Sequence, residues 1–574
     1  MFKQHWLLLS LWVVVGVCLR FFHLGELPPW TDESATLVFS LGKTFYNVPL
    51  DKFIGLETVL EPLQIDPEAG IKDVIRYLMS ESTHPPVYFV LTHLWLKFFA
   101  SDTGLVSLWT ARSLSAFLGV ISIPAIFYLT WFAFRSLVTA QIAAALMAVS
   151  PFGIFVARQA RHYTLIILII IASLYCFISA FRSVSRGKTI SLWLVLGWIS
   201  LNCLGVATHY FYVLTLAAIA IAFLPLIWQQ FRQNKTVLGK PQWRRIYVVA
   251  FGSLVGCLVW LPVLQNIKDS PPTDWIYQSN LAARWLEPIG RSLLWLMSMT
   301  IVLPSSIYDL SLPAVIFFGV VTLIFWLWIL PYLYRGLKLL QLQNPDQRET
   351  GAALKGYLIA GIVIFCFFTY ALGMDLTLAI RFHFVFLPVI IVLIAASLAS
   401  WWQESNKSVL IRLKYGRVNP KNYTYGKRIV IIFISVGFLG GVISSLNLSY
   451  LQNHRPDLMT DTISQASKVP LAIATIYKHH GQTGRAIGLA WKLKDLPNTS
   501  SAQFFFATKD LDTQRYDRSI QKLQQQLSQI KRPLDLWLIN FRSKIDLKAQ
   551  NCVLDSQYSG RSGEYHYKLY HCKD

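Results

Sequence analysis

Long apolar blocks, separated by short polar ones, run through most of the first 450 residues. A helix rises about 1.5 Å per residue, so about 20 apolar residues cross the roughly 30 Å hydrocarbon core of a bilayer. Runs of that kind predict spanning helices at 6–22, 112–132, 137–156, 163–181, 190–207, 210–230, 246–264, 313–334, 357–374, 381–400 and 429–448. Two further stretches, 85–99 and 291–303, are short for a crossing and suit interfacial, re-entrant or tightly packed segments. The total is about 11 crossings, or about 13 if both cross. Both totals are odd, which puts the chain ends on opposite sides. The first run ends in Arg20-Phe21-Phe22-His23 without a small-residue cleavage site, so it reads as a retained helix and not a removed signal peptide.

From residue 449 the pattern becomes that of a soluble domain. Short strand-like runs at Pro470–Tyr477, Ala502–Ala507 and Pro533–Asn540 alternate with helical periodicity, clearest over Asp512–Ile530. A hairpin follows from Cys552 to Cys572 around Ser559-Gly560-Arg561-Ser562-Gly563. The expected organisation is an α-helical polytopic membrane domain over 1–448, with a first outer loop at 23–111, and a small α/β extracytoplasmic domain over 449–574.

Composition agrees: 54% of the 574 residues are hydrophobic and 14% charged, against about 25% charged in soluble proteins. The formal charge of +22 would suggest nucleic acid in a soluble chain. Here it sits mostly in loops between apolar runs, where it sets orientation and meets lipid headgroups, so the partner is the bilayer and not nucleic acid. The loop residues 401–428 hold seven Lys/Arg and one acidic residue, whereas 23–84 holds ten acidic and four basic. That asymmetry places the basic loops and the N-terminus in the cytoplasm, and residues 23–84 and the C-terminal domain on the other side of the membrane. Cys552 and Cys572, the two tail cysteines, can form a disulfide if that region lies in an oxidising compartment.

Chemistry-bearing residues gather at the outer ends of the predicted helices. Trp30-Thr31-Asp32-Glu33-Ser34 pairs two carboxylates just beyond the first helix. They can cap the following helix or supply a base. Glu81-Ser82-Thr83-His84-Pro85-Pro86 sets an imidazole before the short apolar segment, where it can hold an anion or orient a carboxylate. Arg158-Gln159-Ala160-Arg161-His162-Tyr163 is a cationic cluster against the positive-inside trend; it suits a phosphate or anchors lipid headgroups. Thr208-His209-Tyr210 and Arg381-Phe382-His383 also lie at outer helix ends.

These residues resemble the bacterial GT-C-fold glycosyltransferases of the protein-mannosyltransferase and lipid A aminoarabinose-transferase type. The resemblance rests on Arg20-Phe21 with Asp32-Glu33, His84-Pro85-Pro86-Val87-Tyr88, Arg112-Ser113-Leu114-Ser115-Ala116, Ser150-Pro151-Phe152 with Gln159-Ala160-Arg161-His162-Tyr163, Thr208-His209-Tyr210 and Arg381, in order over about residues 1–400. It implies a polyprenyl-phosphate sugar donor used on the outer face and a hydroxyl acceptor in lipid, glycan or protein. It also implies that Asp32 is the catalytic carboxylate, with Glu33 beside it. His84, Arg158, Arg161, His162, Tyr163, His209, Tyr210 and Arg381 become the donor-phosphate residues. Gln159 stands where such proteins commonly carry an acidic residue, so a divalent metal would have one carboxylate ligand fewer. The alternatives are a polytopic transporter or lipid-linked-sugar flippase, and a scaffold for the C-terminal domain. A paired half-chain repeat of broken helices, the sign of many transporters, is not seen.

Overall fold

The computed structural model describes residues 2–99, 103–265, 275–277, 283–302, 310–341, 345–404, 423–451, 454–497, 499, 501–510, 512–513 and 515–573. The chain is mostly helical with one six-stranded sheet, and it divides into two compact units.

The first unit comprises 1–23, 115–268 and 273–451, and it carries the long apolar helices of an integral membrane protein. By length and apolarity seven helices of the described chain can cross a bilayer: Lys3–Phe21, Leu108–Phe134, Tyr163–Ser185, Tyr212–Gln233, Leu312–Leu340, Pro345–Ala371 and Gly426–Ser445. The bent pair Leu137–Val149 and Pro151–Ala157, angled at 54°, makes an eighth if it is one span. Eleven were expected. The helices Leu192–Thr208 and Leu387–Gln403 are apolar but shorter. Pro241–Leu258 carries Arg244 and Arg245 in its first two turns. The two short stretches form helices of 13 residues, Val87–Phe99, and 12 residues, Glu287–Ser298. At 1.5 Å per residue both measure about 20 Å or less, short of a crossing. Most of the basic loop 401–428 lies outside the described residues.

A buried arginine organises the bent pair. The Arg20 guanidinium, fully buried, donates to the carbonyls of Met147 (2.9 Å), Ala148 (3.0 Å) and Gly16 (3.2 Å). Met147 and Ala148 end their helix, where carbonyls lack intrahelical partners and the dipole is negative. Ser150 then caps the next helix by accepting from Gly153 N (3.0 Å), with Pro151 in its first turn. Gly119 leaves the room this needs: a Cβ there would lie 2.7 Å from Ala157 Cβ and 3.1 Å from Arg20 Nε.

The second unit comprises 24–114, 269–272 and 452–574. The outer loop, assigned above to the membrane domain, thus shares a compact unit with the C-terminal chain. The sheet joins them. Its strands are β1 (Phe53–Gly55), β2 (Leu471–Tyr477), β3 (Gln503–Thr508), β4 (Leu534–Ile539), β5 (Cys552–Ser562) and β6 (Tyr565–Cys572), in the order β1-β3-β2-β4-β6-β5. The central strands β3, β2 and β4 are parallel and joined through the helices His480–Leu493 and Asp517–Leu527. β2 and β4 are buried almost throughout, which is why they read as continuous apolar runs and not as alternation. β1 comes from the outer loop and pairs antiparallel with β3, Phe53 opposite Phe505. Asp51 fastens it, accepting from Thr508 N (3.0 Å), Thr508 Oγ1 (2.9 Å), Ser519 Oγ and Lys522 Nζ (3.1 Å). The β5–β6 turn is Gly563-Glu564, both with positive φ, as a two-residue hairpin of primed type requires. Cys552 and Cys572 are disulfide-bonded at opposite positions of that hairpin.

Candidate active site

Asp32 and Glu33 fall in the first turn of the helix Thr31–Ser40, where the helix dipole favours negative charge. The structure separates the two. Glu33 is 2% exposed, and both its oxygens are held by Arg112, itself 4% exposed: Nε to Oε1 at 2.9 Å and Nη2 to Oε2 at 2.8 Å. Arg112 also donates to the carbonyls of Leu27 (2.9 Å), Leu24 (3.0 Å) and Pro28 (3.4 Å). This planar fork ties the loop 24–28 to the helix that starts at Leu108. Glu33, expected to share the catalytic role, is therefore a buried anchor that fixes the turn carrying Asp32. Asp32 itself is half-buried.

The C-terminal helix His480–Leu493 packs on that turn. Ser34 Oγ donates to Gly484 O (3.1 Å). A Cβ on Gly488 would sit 2.5 Å from Pro29 O, so only glycine allows this approach there, and one on Gly484 would be tight at 3.2 Å from Thr31 O. His480 comes with the helix, its ring stacked on Phe45 (5.2 Å) and edge-on to Phe39 (6.0 Å), within electrostatic reach of Asp32. Burial and the neighbouring His479 push His480 down to about 4, opposed by Asp32. His479 is lowered to about 4 by burial, with Arg485 and Lys478 adding. Glu81 accepts from Thr44 Oγ1 and Phe45 N (3.1 Å), and burial raises its pKa against those bonds. His84 bonds Ser82 Oγ (2.9 Å) through Nδ1 and lies against Phe89.

Within the first unit, Arg161, His162, Tyr163 and His209 lie together, and Arg381 is joined to them through Phe382 and Phe211. Arg161 and His162 are 2% and 1% exposed. The His162 and His209 rings meet at 4.4 Å, and Arg161 lies over Tyr163 at 5.8 Å. His209 is oriented by Phe211 N, which donates to its Nδ1 (3.0 Å), and touches Phe384 (5.1 Å). Arg381 stacks over Trp275 (5.4 Å) and Phe382 (5.3 Å), and Phe382 packs against Phe211 (4.7 Å). Tyr210 packs on Trp260 (5.8 Å). Arg158, expected among the phosphate ligands, points elsewhere. It donates to the carbonyls of Phe22, His23 (3.3 Å) and Arg20 (3.4 Å) and to Asn447 Oδ1 (3.3 Å), closing off the end of the first helix.

Among the described residues no three His, Cys, Asp or Glu side chains gather as a metal site. The donor set next to Asp32 fits a divalent ion poorly, because the adjacent carboxylate is already bidentate to a guanidinium. Sequence reasoning missed Arg112 as the partner of Glu33.

Residues 93–267 match the family of dolichyl-phosphate-mannose-protein mannosyltransferases. That segment contains Arg112, Arg158 to Tyr163 and His209, and excludes Asp32 and Arg381. A sequence comparison with characterised proteins finds no match. Among solved structures, the chain is similar to ArnT from Cupriavidus metallidurans bound to undecaprenyl phosphate, with 12% identity over 99% of this chain and 98% of that one, at a TM-score of 0.47. It is also similar to the archaeal oligosaccharyltransferase AglB from Archaeoglobus fulgidus in complex with an inhibitory peptide and a dolichol-phosphate, with 14% identity over 87% and 61% of the two chains, at a TM-score of 0.44.

Proposed function

We propose that this protein is a membrane glycosyltransferase that moves a monosaccharide from a polyprenyl-phosphate donor to a hydroxyl acceptor on the outer face of the cytoplasmic membrane. The observation that carries the reading is the placement of Asp32, half-buried, in the first turn of a helix beside Glu33, whose carboxylate is held by Arg112. The match of 93–267 to a lipid-phosphate mannosyltransferase family supports the donor class.

The acceptor oxygen attacks the anomeric carbon while its proton passes to the Asp32 carboxylate, and the bond from that carbon to the phosphate oxygen breaks. Phosphate leaves without a strong acid, provided fixed cations meet its growing charge. We assign that role to Arg161 and Arg381, and take His84, His162, Tyr163, His209 and Tyr210 as further candidates for holding the donor. A single displacement inverts the anomeric centre, as carboxylate-assisted glycoside chemistry does when no covalent intermediate forms. No step needs a metal. This arrangement requires the orientation argued from loop charge, with the N-terminus in the cytoplasm and residues 23–84 and 449–574 outside.

The test is purified full-length protein with a radiolabelled polyprenyl-phosphate sugar. Release of polyprenyl phosphate that depends on added acceptor supports the transferase. Movement of the lipid across vesicles without release would support the flippase reading instead.

A further inference from the structure

Arg381 follows a short irregular stretch, Asp375 to Ile380, between the helices Pro345–Cys366 and Leu387–Glu404. A buried ion pair fastens that stretch. Asp375 is fully buried, and its Oδ2 accepts from Nη2 of Arg291 (2.6 Å), which belongs to the helix Glu287–Ser298. Asp375 Oδ1 accepts from Thr377 N (3.1 Å) and Thr377 Oγ1 (2.6 Å), capping the turn Leu376–Leu378. Arg291 Nε donates to the same hydroxyl (3.1 Å), and Trp295 Nε1, one turn further along that helix, donates to Thr377 O (2.8 Å). The amide, the hydroxyl and the carbonyl of Thr377 are thus all held by one carboxylate and one helix. The Asp375 backbone makes a second tie, its N–H donating to Ile276 O (3.0 Å). Trp275, the preceding residue, lies under the Arg381 guanidinium (5.4 Å) and stacks on Phe382 (5.9 Å, 15° between the planes). All of these residues belong to the first unit.

We infer that Arg291 and Asp375 are a positioning pair for Arg381: they fix both the stretch of chain that carries its guanidinium and the indole against which that guanidinium rests. The inference rests on the transferase reading above, in which Arg381 meets the donor phosphate. A carboxylate shut off from water keeps its charge only beside a cation and with its remaining lone pairs bonded, and Asp375 has both. Such a pair adds little stability over an apolar contact of similar size. It does fix direction, because charged bonds from a planar fork are met in one geometry. The irregular stretch lacks the regular ladder of backbone bonds that a long helix has, so its course is set by the side chains of Asp375, Arg291 and Trp295. Arg381 follows Thr377 by four positions. A shift of the turn therefore reaches the guanidinium along the chain, and a shift of Ile276 reaches it through Trp275. Misplacing a reacting group by about 1 Å can cost about 100-fold in rate, so a loosened pair should be visible in donor use.

The experiment measures kcat/KM for a radiolabelled polyprenyl-phosphate sugar in the release assay. It uses full-length wild type, Asp375→Asn, Thr377→Val, Arg381→Ala and the doubles that combine Arg381→Ala with each of the other two. Asn keeps the size of the Asp375 side chain and removes its charge; Arg291 retains Glu287 (3.2 Å) as a partner, so no cation is stranded. Val keeps the shape of Thr377 and removes the hydroxyl that Asp375 and Arg291 share. The expected result is a fall of roughly 10-fold in donor kcat/KM for Asp375→Asn and a smaller fall for Thr377→Val, with acceptor KM changed less than about twofold. In the Arg381→Ala background neither substitution should lower donor kcat/KM further, because residues that act through one another are not additive. Wild-type kcat/KM in both single variants overturns the inference. So does a loss that multiplies with that of Arg381→Ala, or loss of folded protein in both single variants, either of which marks a purely structural role. A wild type that releases no polyprenyl phosphate would refute the transferase reading itself, and unchanged donor use in Arg381→Ala would refute the role assigned to that arginine. Each is told apart by its own control and takes the positioning role with it.

Discussion

Replacing Glu33 should damage stability far more than it damages chemistry. In wild type the carboxylate accepts two charge-assisted bonds, 2.9 and 2.8 Å, from a guanidinium that is 4% exposed. Hydrogen bonds to charged groups contribute about 1.5–3 kcal/mol each. Removing one partner of a buried pair costs about 3–5 kcal/mol, because the other charge stays buried without compensation. Glu33→Ala is therefore expected to destabilise the protein by about 3–5 kcal/mol, the three carbonyls on Arg112 holding the loss to that range. Arg112→Met should cost a similar amount for the same reason, with Glu33 now the stranded charge. The double variant Glu33→Leu, Arg112→Met removes both charges at once and should be more stable than either single. The assay is a double-mutant cycle on denaturant-induced unfolding of the detergent-solubilised protein. Additive losses would refute the claim that Glu33 acts through Arg112. So would a fully stable, inactive Glu33→Ala variant, which would return Glu33 to the reacting groups.

Arg161→Ala and Arg381→Ala should each weaken donor use, and Lys at either position should restore it only in part, since Lys keeps the charge and loses the planar fork; unchanged donor KM in both alanine variants would reduce these arginines to headgroup anchors. His571 lies between Asp535 (2.6 Å) and Asp555 (3.2 Å), and the bonds to those carboxylates raise its pKa above the ordinary value. Its contribution to folding is therefore present below about pH 6.5 and is lost as pH rises through the raised folded value; the pH dependence of unfolding should flatten on that side in His571→Gln, and an unchanged profile would contradict it. Cysteines introduced at the exposed Glu68 and at Ser464 should react with a membrane-impermeant maleimide in cells whose outer membrane, if present, is permeabilised, while one at Asn234 should not; the reverse pattern would put Asp32 in the cytoplasm.

The membrane helices were legible because a bilayer imposes length and apolarity on each segment separately, and the strands β2, β3 and β4 because fully buried parallel strands are continuous apolar runs. β1 was not legible. Phe53-Ile54-Gly55 is three residues long and takes its strand character from Phe505 across 450 residues of chain, a pairing no local pattern encodes. The site divides the same way. Asp32, Arg161, His162, His209 and Arg381 stand out by residue type at predicted helix ends. The different fates of Glu33 and Asp32 depend on which partner packs alongside, so adjacent identical chemistries in sequence acquire different tasks only in the fold. Arg158 shows the same limit: a cation at a predicted outer helix end reads as a phosphate ligand, and in the fold it donates to the carbonyls of Phe22 and His23 after the first helix.

The central claim is that Asp32 is the base of a sugar transfer from a lipid phosphate. The most direct measurement is single-turnover release of polyprenyl phosphate by full-length wild type and Asp32→Asn, with saturating acceptor and with donor binding measured in parallel. Loss of a general base costs roughly 10²–10⁴-fold. The predicted result is a rate reduced by about that factor in Asp32→Asn, with donor affinity and thermal stability essentially those of wild type. Wild-type release by Asp32→Asn would contradict the account.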